Sequence, residues 1–426
     1  MAPPPTELPT SIATARLVVF VLAYLALAFP TVTRVRLSRP AVALAGAAAM
    51  LVIGRFPLAE AYAAIDRDVL TFLLGVLIVV AYLDLAGVFE WAAAHVVRHV
   101  IDSPRLLLVG LIVVAGIASA FFMNDTICLV LTPLVVATLR SLRLRPAPFL
   151  LSIALAANVG GAMAITGNPQ NMVIGLASHI PYSAFLAALA LPSLGGLAIV
   201  YGVLAFVFRR DLTAPADHGP PPLAVAVPRP LDRWPAFAAL LVFCGMLVGW
   251  LCGVSLPTVS IVGAGALMLL AGRRPAPALA RVNWSLLLLF CGLFVIVGGV
   301  RDVPLIRSGV VAAVHALDGN PGHDATVVSG AMLVLSNIVS NLPAVLLWRP
   351  VIPGLSDARF LWLVMAMSST FAGNLTLLGS VANVIVAERA AADGATLTFT
   401  DFLRAGVPVT VLTIAWGVVA LALIAR

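Results

Sequence analysis

The chain has 426 residues, of which 62% are hydrophobic and only 10% are charged, and its mean hydropathy is +1.10. Soluble domains carry about 25% charged residues, so this composition excludes a soluble enzyme and indicates a membrane protein with many crossings. The net charge of +7 comes without a long basic cluster, which argues against nucleic acid as a partner.

Apolar segments follow one another along the chain in two series, which are separated by a polar, proline-rich linker at 211–233. Since a spanning helix needs about 20 apolar residues, most segments predict one crossing. Segment 104–139 is too long for one crossing, and we expect a re-entrant hairpin with its tip near Asn124. The weaker stretch 89–101 predicts an amphipathic helix at the membrane surface. In chain order the segments are 13–30, 40–54, 69–88, 104–139, 148–178, 183–208, 234–252, 257–271, 285–300, 325–348, 358–388 and 402–425.

The second series repeats the first. A shift of 217 residues pairs Gly75 with Gly292 and Asn124 with Asn341, and a shift of 212 residues continues the match beyond position 158. Each copy has an odd number of crossings if its hairpin does not cross, so the second copy is inverted relative to the first. Fused repeats of this kind are typical of secondary transporters. The predicted fold is an all-α polytopic membrane protein with two inverted repeats. Each repeat contains five transmembrane helices plus a re-entrant hairpin and one broken helix. The predicted units are the first repeat at 1–210, a cytoplasmic linker at 211–233 and the second repeat at 234–426.

The arginines predict the orientation of the chain in the membrane. Most of the 25 basic residues fall in loops on the same side as the linker. By the positive-inside rule that side is cytoplasmic, so we expect a multi-pass protein of the plasma (bacterial inner) membrane with both termini outside.

Four polar, helix-breaking motifs interrupt the apolar segments, at 119–126, 158–171, 336–343 and 368–383. Glycine and proline break the backbone ladder in them, while Asn, Ser and Thr offer partners to the freed groups. Irregular backbone at this depth is viable only when it is buried in protein or lines a wet cavity. Helices that begin there direct partially positive N-termini at whatever is bound. The motifs therefore predict one substrate site near the middle of the membrane.

Asp125 is the one carboxylate within these motifs. A charged side chain at the centre of a membrane helix costs roughly 2.5–3.5 kcal/mol even on lenient scales, so such a residue indicates function. We expect Asp125 to couple transport to a proton or sodium ion. The other candidates share amide or hydroxyl side chains, or glycine at a helix break; they are Asn124, Thr126, Asn158, Gly167, Asn168, Asn171, Ser340, Asn341, Thr370, Asn374, Gly379, Ser380 and Asn383. The motifs contain no metal-ligand spacing and no His–Cys or Ser–Lys pair, so neither a metal site nor an enzyme is expected.

At these residues the sequence resembles the ion transporter superfamily, in the branch of arsenite permeases, sodium–proton antiporters and anion permeases. The resemblance spans nearly the whole chain and is carried by the stretches 124–126, 167–171, 340–343 and 379–383. It implies inverted repeats, a homodimer and elevator-like motion of the hairpin-bearing part. Sodium–dicarboxylate relatives carry Ser-Asn-Thr at both hairpin tips. Here Asn-Asp-Thr and Ser-Asn-Leu replace that signature, which argues against sodium-coupled dicarboxylate uptake.

The resemblance suggests arsenite and antimonite, silicic acid, sodium ion or another anion as the substrate. Amides and hydroxyls suit a neutral polyhydroxyl acid, and the motifs lack an arginine that would clamp a multivalent anion. The leading expectation is arsenite or antimonite efflux coupled to protons, and the alternatives are sodium–proton antiport and anion permeation. The expected partners are the bilayer and a small inorganic solute. No cofactor beyond an ion gradient is expected, and a separate ATPase subunit is compatible with the sequence.

Overall fold

A computed structural model describes residues 8–28, 38–100, 103–212, 230–272, 274–355 and 357–424. Most of these residues are helical because the apolar segments satisfy their backbone groups internally. The helices are α1 (Thr10–Ala28), α2 (Arg39–Val52), α3 (Leu58–Ala64), α4 (Arg67–Leu85), α5 (Val88–Val100), α6 (Pro104–Phe122), α7 (Asn124–Ser141), α8 (Ala147–Gly161), α9 (Pro169–Ser178), α10 (Tyr182–Val207), α11 (Arg233–Leu251), α12 (Leu256–Leu270), α13 (Ala276–Arg281), α14 (Trp284–Val300), α15 (Pro304–His315), α16 (Pro321–Val339), α17 (Asn341–Trp348), α18 (Ala358–Ala372), α19 (Val381–Ala392) and α20 (Phe399–Ile424).

The helices follow the predicted apolar segments closely. Within the described residues, six helices are long and apolar enough to cross a membrane, and five shorter apolar helices accompany them. The chain is therefore an all-α, multi-pass membrane protein, as predicted. The described part of the stretch at 89–101 lies in α5 (Val88–Val100), and the predicted linker at 211–233 falls largely outside the described residues.

Two hairpins and two broken helices interrupt the regular packing. The segment 104–139 turns back at Met123, and a second hairpin turns at Ser340, between α16 and α17. Helices α8 and α9 are separated by a 3-10 turn at Ile165–Gly167, and α18 and α19 by one at Leu377–Gly379. The breaks lie in the glycine- and asparagine-rich motifs, where the backbone loses its helical hydrogen bonds.

Two glycines allow helices from different parts of the chain to touch. A Cβ on Gly75 of α4 would lie 2.5 Å from the Ser260 carbonyl of α12, and a Cβ on Gly292 of α14 would lie 2.6 Å from the Ala43 carbonyl of α2. Only glycine permits such close helix packing. These two contacts hold α2 and α4 against α14 and α12.

Polar contacts at the helix ends define two opposite faces. Asp66 and Asp84 lie at the two ends of α4, about 27 Å apart at 1.5 Å per residue. At one face, here the Asp84 face, Asp84 pairs with Arg281. At the other, the Asp66 face, Asp66 pairs with Arg349 at 2.7 Å. The Asp84 face also holds the pairs of Arg145 with Asp211 and Asp401 and the contact of Arg140 with Asp393.

Replacing Gly75 by alanine tests the close contact. The added methyl group has no space beside the Ser260 backbone, so we expect a loss of about 1–3 kcal/mol of stability. The measurement is the thermal unfolding midpoint of the purified protein. The control is Gly245→Ala in α11, where a Cβ would meet nothing within 4 Å; equal midpoints for both variants would contradict the packing described.

Candidate functional site

Asn158, near the end of α8, joins the polar motifs through its side-chain amide. Its carbonyl oxygen accepts hydrogen bonds from Asn124 Nδ2 and Ser380 Oγ, both at 3.0 Å. Its nitrogen donates to the carbonyl oxygens of Asn374 at 2.8 Å and Asn383 at 3.0 Å. All five side chains are buried. Asn158 and its four partners, here called the central network, connect the first hairpin tip to both broken helices.

Two asparagines hold the breaks by reaching back to freed carbonyl groups. The Asn171 nitrogen lies within 3.3 Å of the carbonyl oxygens of Gly161, Ala162 and Ala164, to which it donates. The Asn383 nitrogen donates to the carbonyls of Gly373 at 2.8 Å and Thr376 at 3.1 Å. The freed carbonyls thus keep partners, as burial in a membrane requires.

Glycine is required where the turns fold onto the preceding helices. A Cβ on Gly167 would lie 2.1 Å from the carbonyl oxygen of Gly161, and a Cβ on Gly379 would lie 2.9 Å from that of Gly373. Both distances are too short for any other residue without movement of the backbone. Gly167 and Gly379 therefore shape the site and contribute no ligand-binding group.

Asn168 and Thr370 connect the two broken helices on the other side of the central network. Asn168 Oδ1 accepts from the Asn171 backbone N–H and caps α9, while its nitrogen donates to Thr370 Oγ1 at 3.2 Å. Gln170 donates to the same hydroxyl oxygen at 3.3 Å. The start of α9 is thereby attached to α18.

Both hairpin tips are strained in the same way. Met123 has φ 67° and Ser340 has φ 77°, a region that residues with a Cβ avoid at a cost of about 1–3 kcal/mol. Each strained residue immediately precedes an asparagine that starts a helix, Asn124 for α7 and Asn341 for α17. The tips therefore place two helix N-termini and two amide side chains at the centre of the bundle.

A cavity of about 320 Å³, here the first cavity, lies against the second tip. Arg39 and Leu286, at the starts of α2 and α14, line it, and the neighbouring Arg281 belongs to the Asp84 face. The cavity therefore opens toward that face. Its polar wall consists of Tyr24, Arg39, Asn124, Asp125, Gln170, Ser336, Asn337, Ser340, Asn341, Thr376 and Ser380.

Three buried polar atoms in this wall have no partner within the described structure: Ser336 Oγ, Asn337 Oδ1 and Asn341 Oδ1. The amide of Asn337 has a defined orientation because its nitrogen donates to the Leu333 carbonyl at 2.9 Å and the Ala372 carbonyl at 3.1 Å. Its oxygen is thus an acceptor without a donor. Unpaired buried acceptors cost about 1–3 kcal/mol each, and a bound solute with hydroxyl groups would satisfy them.

The electrostatics of the first cavity are mixed. The first residues of α7, α9, α17 and α19 all line it, so four helix N-termini, each equivalent to about +0.5 charge, face the same space. Arg39 adds a guanidinium to the same cavity that Asp125 lines. Among the lining residues that the structure describes, Asp125 is the only acidic one. The cavity thus attracts electron-rich oxygen atoms and keeps one carboxylate beside them.

The predicted site residues divide into a cavity wall, a supporting layer and one outlier. Asn124, Asp125, Ser340, Asn341 and Ser380 line the first cavity. The supporting layer contains Asn158, Gly167, Asn168, Asn171, Thr370, Asn374, Gly379 and Asn383. Thr126 is half-buried and does not contribute to the cavity wall.

Several wall residues were not predicted as site residues. Ser336 and Asn337 belong to the motif at 336–343, and this pair of adjacent polar residues in an apolar helix just before the tip was the available signal. Arg39 starts a short apolar helix far away in sequence, and no pattern indicated it. The absence of arginine from the four motifs therefore does not extend to the cavity itself.

Asp318, His323 and Asp324 form a cluster with metal-ligand spacing between α15 and α16. Both Asp324 oxygens accept backbone N–H groups, from Asp318 and Gly319, so this carboxylate closes the loop. The Asn320 N–H donates to Asp318 and, together with nearby His323, lowers the pKa of the Asp318 carboxyl. These hydrogen bonds show that the carboxylates of the cluster stabilise the loop at 318–320, which accounts for their proximity without a metal ion.

The hairpins, broken helices and central cavity define a membrane transporter. The family model described as "Citrate transporter" (CitMHS) matches residues 18–372, and the chain belongs to this family. It is similar to "Silicon efflux transporter LSI3" of Oryza sativa subsp. japonica, with 32% identity covering 92% of this chain and 93% of the relative. An uncharacterized transporter of Mycobacterium tuberculosis is 29% identical over 93% of this chain and 95% of its own. A candidate transporter named arsB from Dictyostelium discoideum is 24% identical over 89% and 86%.

Removing the amide of Asn158 tests the central network. Asn158→Ala leaves the groups of Asn124 and Ser380 without an acceptor in a buried site, so we expect a loss of about 2–4 kcal/mol of stability. The measurement is the thermal unfolding midpoint. The control is Ser152→Ala on the same helix, because the buried Ser152 hydroxyl bonds only to the adjacent Phe149 carbonyl. A smaller shift for Asn158→Ala than for the control would show that the network is not a structural centre.

Proposed function

We propose that the protein is a secondary transporter that exports small neutral oxyacids, namely arsenous, antimonous or silicic acid, in exchange for protons. The observation that carries this proposal is the unpartnered carbonyl oxygen of Asn337, which is buried in the wall of the first cavity and becomes available to a solute when that wall shifts. A fully ionised anion offers no donor to it, whereas a neutral hydroxyl acid offers several. Asn341 Oδ1, also unpartnered, supports the same preference for a ligand that donates hydrogen bonds.

A neutral hydroxyl acid also matches the remaining wall. Its oxygen atoms accept hydrogen bonds, which suits the four helix N-termini, and it needs no counter-charge. Asp125 is then free to carry a proton, because the substrate does not compete for its charge. A carboxylate at the N-terminus of α7 and in the electrostatic field of Arg39 can alternate between its two protonation states as the cavity changes access to water.

The similar proteins support this substrate class. One relative is named as a silicon efflux transporter, and another carries the name arsB. Silicic and arsenous acids are both small, uncharged near neutral pH and covered with hydroxyl groups. One cavity lined by amides and hydroxyls suits both.

Anion permeation is the second candidate. Four helix N-termini and the Arg39 guanidinium favour negative charge in the first cavity, and the family model is named for citrate. The same positive groups oppose a bound sodium ion, so sodium–proton antiport has less support. Anion transport predicts that Arg39 is essential, whereas neutral oxyacid transport predicts that it is not.

Matching contacts support an inverted repeat. The contacts Gly75–Ser260 and Gly292–Ala43 correspond under the shift of 217 residues, which carries position 75 to 292 and position 43 to 260. The hydrogen bonds Asn168–Thr370 and Ser380–Asn158 correspond in the same way under 212. Such reciprocal contacts are expected of two units related by a pseudo-two-fold axis. We therefore propose repeats at 1–210 and 234–426 around the linker.

From the proposed inverted repeat we also propose an orientation in the membrane, an oligomeric state and a type of motion. The Asp84 face is cytoplasmic, both termini are outside, and the protein is a homodimer in the plasma membrane that transports by an elevator-type displacement of the hairpins and broken helices. The accessibility of an epitope at the C-terminus in intact cells tests the orientation, and light scattering of the purified protein tests the dimer. Distances between spin labels on α7 and α12 test the displacement, and equal distances with and without solute would oppose it.

Replacing Asn337 by leucine tests the substrate class. The variant keeps the approximate volume and removes the free acceptor, so the KM for arsenite or silicic acid in proteoliposomes should rise roughly fivefold. Ser329→Ala is the control, because Ser329 lies two turns earlier on α16, is buried and has no partner. An unchanged KM for Asn337→Leu, or no transport of either acid by the parent protein, would remove the oxyacid proposal.

Replacing Asp125 by asparagine tests the coupling. The variant cannot carry the proton, so a pH gradient should no longer drive accumulation, while downhill exchange of the solute should continue. The measurement is solute flux in proteoliposomes with and without an imposed pH gradient. Gradient-driven accumulation that survives Asp125→Asn would assign coupling elsewhere.

Replacing Arg39 by glutamine separates the two candidate functions. We expect arsenite flux to stay within about twofold of the parent level, because a neutral solute needs no guanidinium. Inhibition of that flux by citrate should be weak in both proteins. Strong inhibition by citrate that Arg39→Gln removes would favour the anion permease.

A further inference from the structure

A second cavity, of about 730 Å³, lies on the opposite side of the central network from the first. Asp66 and Arg349 line it, so it belongs to the Asp66 face. Its wall contains the last turn of α9, the loop between α11 and α12, and the side chains of Tyr182 and Trp250. The two cavities therefore approach the network from opposite faces of the bundle.

Tyr182, the first residue of α10, closes the inner end of the second cavity. Its hydroxyl and that of Thr166, the middle residue of the first 3-10 turn, are hydrogen-bonded at 2.9 Å, and Thr166 Oγ1 also donates to the Ala120 carbonyl at 3.0 Å. The Tyr182 ring stacks on Trp250 with centroids 5.5 Å apart. Tyr182 is 2% exposed and Thr166 is fully buried. The ring thus separates the second cavity from the turn that leads to Asn168.

Phe399 occupies the matching position in the other half. It is the first residue of α20, which has the same 26-residue length as α10, and it lies 217 residues after Tyr182. The middle residue of the second 3-10 turn is Leu378, which corresponds to Thr166 under the shift of 212. Phe399 and Leu378 both line the first cavity, and they are 51% and 54% exposed. In the first half the Tyr182 ring covers its 3-10 turn, whereas in the second half the Phe399 ring leaves its 3-10 turn open.

We propose that Tyr182 and Phe399 are alternating plugs, each of which closes one cavity by packing over the middle residue of its 3-10 turn. In the structure described, Tyr182 covers Thr166, so the second cavity is open to the surface but closed toward the central network, while Phe399 leaves Leu378 open to the first cavity. In the opposite state Phe399 covers Leu378, and Tyr182 moves off Thr166 and Trp250. This proposal rests on the transporter function and the internal repeat proposed above.

The unequal residues of the two plugs fit these roles. Tyr182 has both a hydrogen-bond partner and a stacking partner, so the state in which it is closed carries additional stabilisation. Phe399 and Leu378 are apolar, so they offer only van der Waals contact and burial from water. The state with the second cavity closed is therefore the resting state. This bias explains why, in the described structure, the cavity that reaches the central network is the one at the Asp84 face.

Thiol labelling tests the plugs without a transported solute. Thr166→Cys and Leu378→Cys are made separately in the full chain, and the rate of maleimide modification at each cysteine is read by peptide mass spectrometry. In the parent background Leu378→Cys should react and Thr166→Cys should not. Tyr182→Ala should raise the rate at Thr166→Cys by roughly tenfold, since removal of the stacked ring increases the open population. It should also lower the rate at Leu378→Cys, because opening one cavity closes the other.

Native cysteines and a conservative variant provide the controls. Cys252 is exposed and reports reagent access, while Cys128 is buried in α7, so its modification would report unfolding. Tyr182→Phe keeps the ring and removes only the hydroxyl that bonds to Thr166, so it should raise the rate at Thr166→Cys less than Tyr182→Ala does. If Thr166→Cys itself folds poorly, hydrogen exchange of the two turns in Tyr182→Ala replaces the labelling. Exchange should then rise at 165–168 and fall at 377–380.

Each outcome decides one part of the proposal. No increase at Thr166 in Tyr182→Ala would show that Tyr182 is not a plug. An increase without a decrease at Leu378 would show a local leak and overturn the alternation. Failure of arsenite or silicic acid transport would leave these rates unchanged, so the oxyacid proposal and the plug proposal can fail independently.

Discussion

The bundle depends on one buried amide. Asn158 uses both ends of its side chain to hold the first hairpin and the two broken helices. An aliphatic side chain could fill the same space, but it would remove a hydrogen-bond partner from four other buried residues. Most polar groups of the motifs therefore bond to one another, and only the remaining ones are available to a solute. Among the groups that remain unpaired, Ser336 Oγ, Asn337 Oδ1 and Asn341 Oδ1 belong to residues that line the first cavity.

The helix breaks and hairpin tips are rigid, and they leave helix N-termini free to bind a solute. Asparagine side chains reach back across both helix breaks and satisfy the freed carbonyls, so the breaks are defined structures. Strained backbone at Met123 and Ser340 then directs the starts of α7 and α17 toward the same space. Fixed dipoles bind oxygen atoms without the cost of reorganisation, which suits a site that must release its solute as readily as it accepts it.

Much of the helix order was predictable from the sequence because hydrophobic length and helix-breaking residues determine where a chain crosses and where it turns. The turn at Asn124 followed from an apolar segment too long for one crossing, and the breaks followed from Gly and Asn clusters. Which residues of the motifs line the cavity and which ones support the backbone was not predictable. Asn171 and Asn124 look alike in sequence, yet one supports a turn and the other lines the cavity. Arg39 was missed because its position depends on how α2 packs, which only the three-dimensional contacts reveal.

The two glycine contacts have a consequence for how the protein is made. Helix α4 packs on α12, and α2 packs on α14, so each half completes its packing with helices that the ribosome produces much later. Until then the faces of α2 and α4 that carry Ala43 and Gly75 have only lipid or unrelated helices beside them. Insertion of the first half therefore yields an unfinished surface, and folding is completed when the second half enters the membrane and interlocks with it. Synthesis of the whole chain, and not of either half, is the event that creates the transporter.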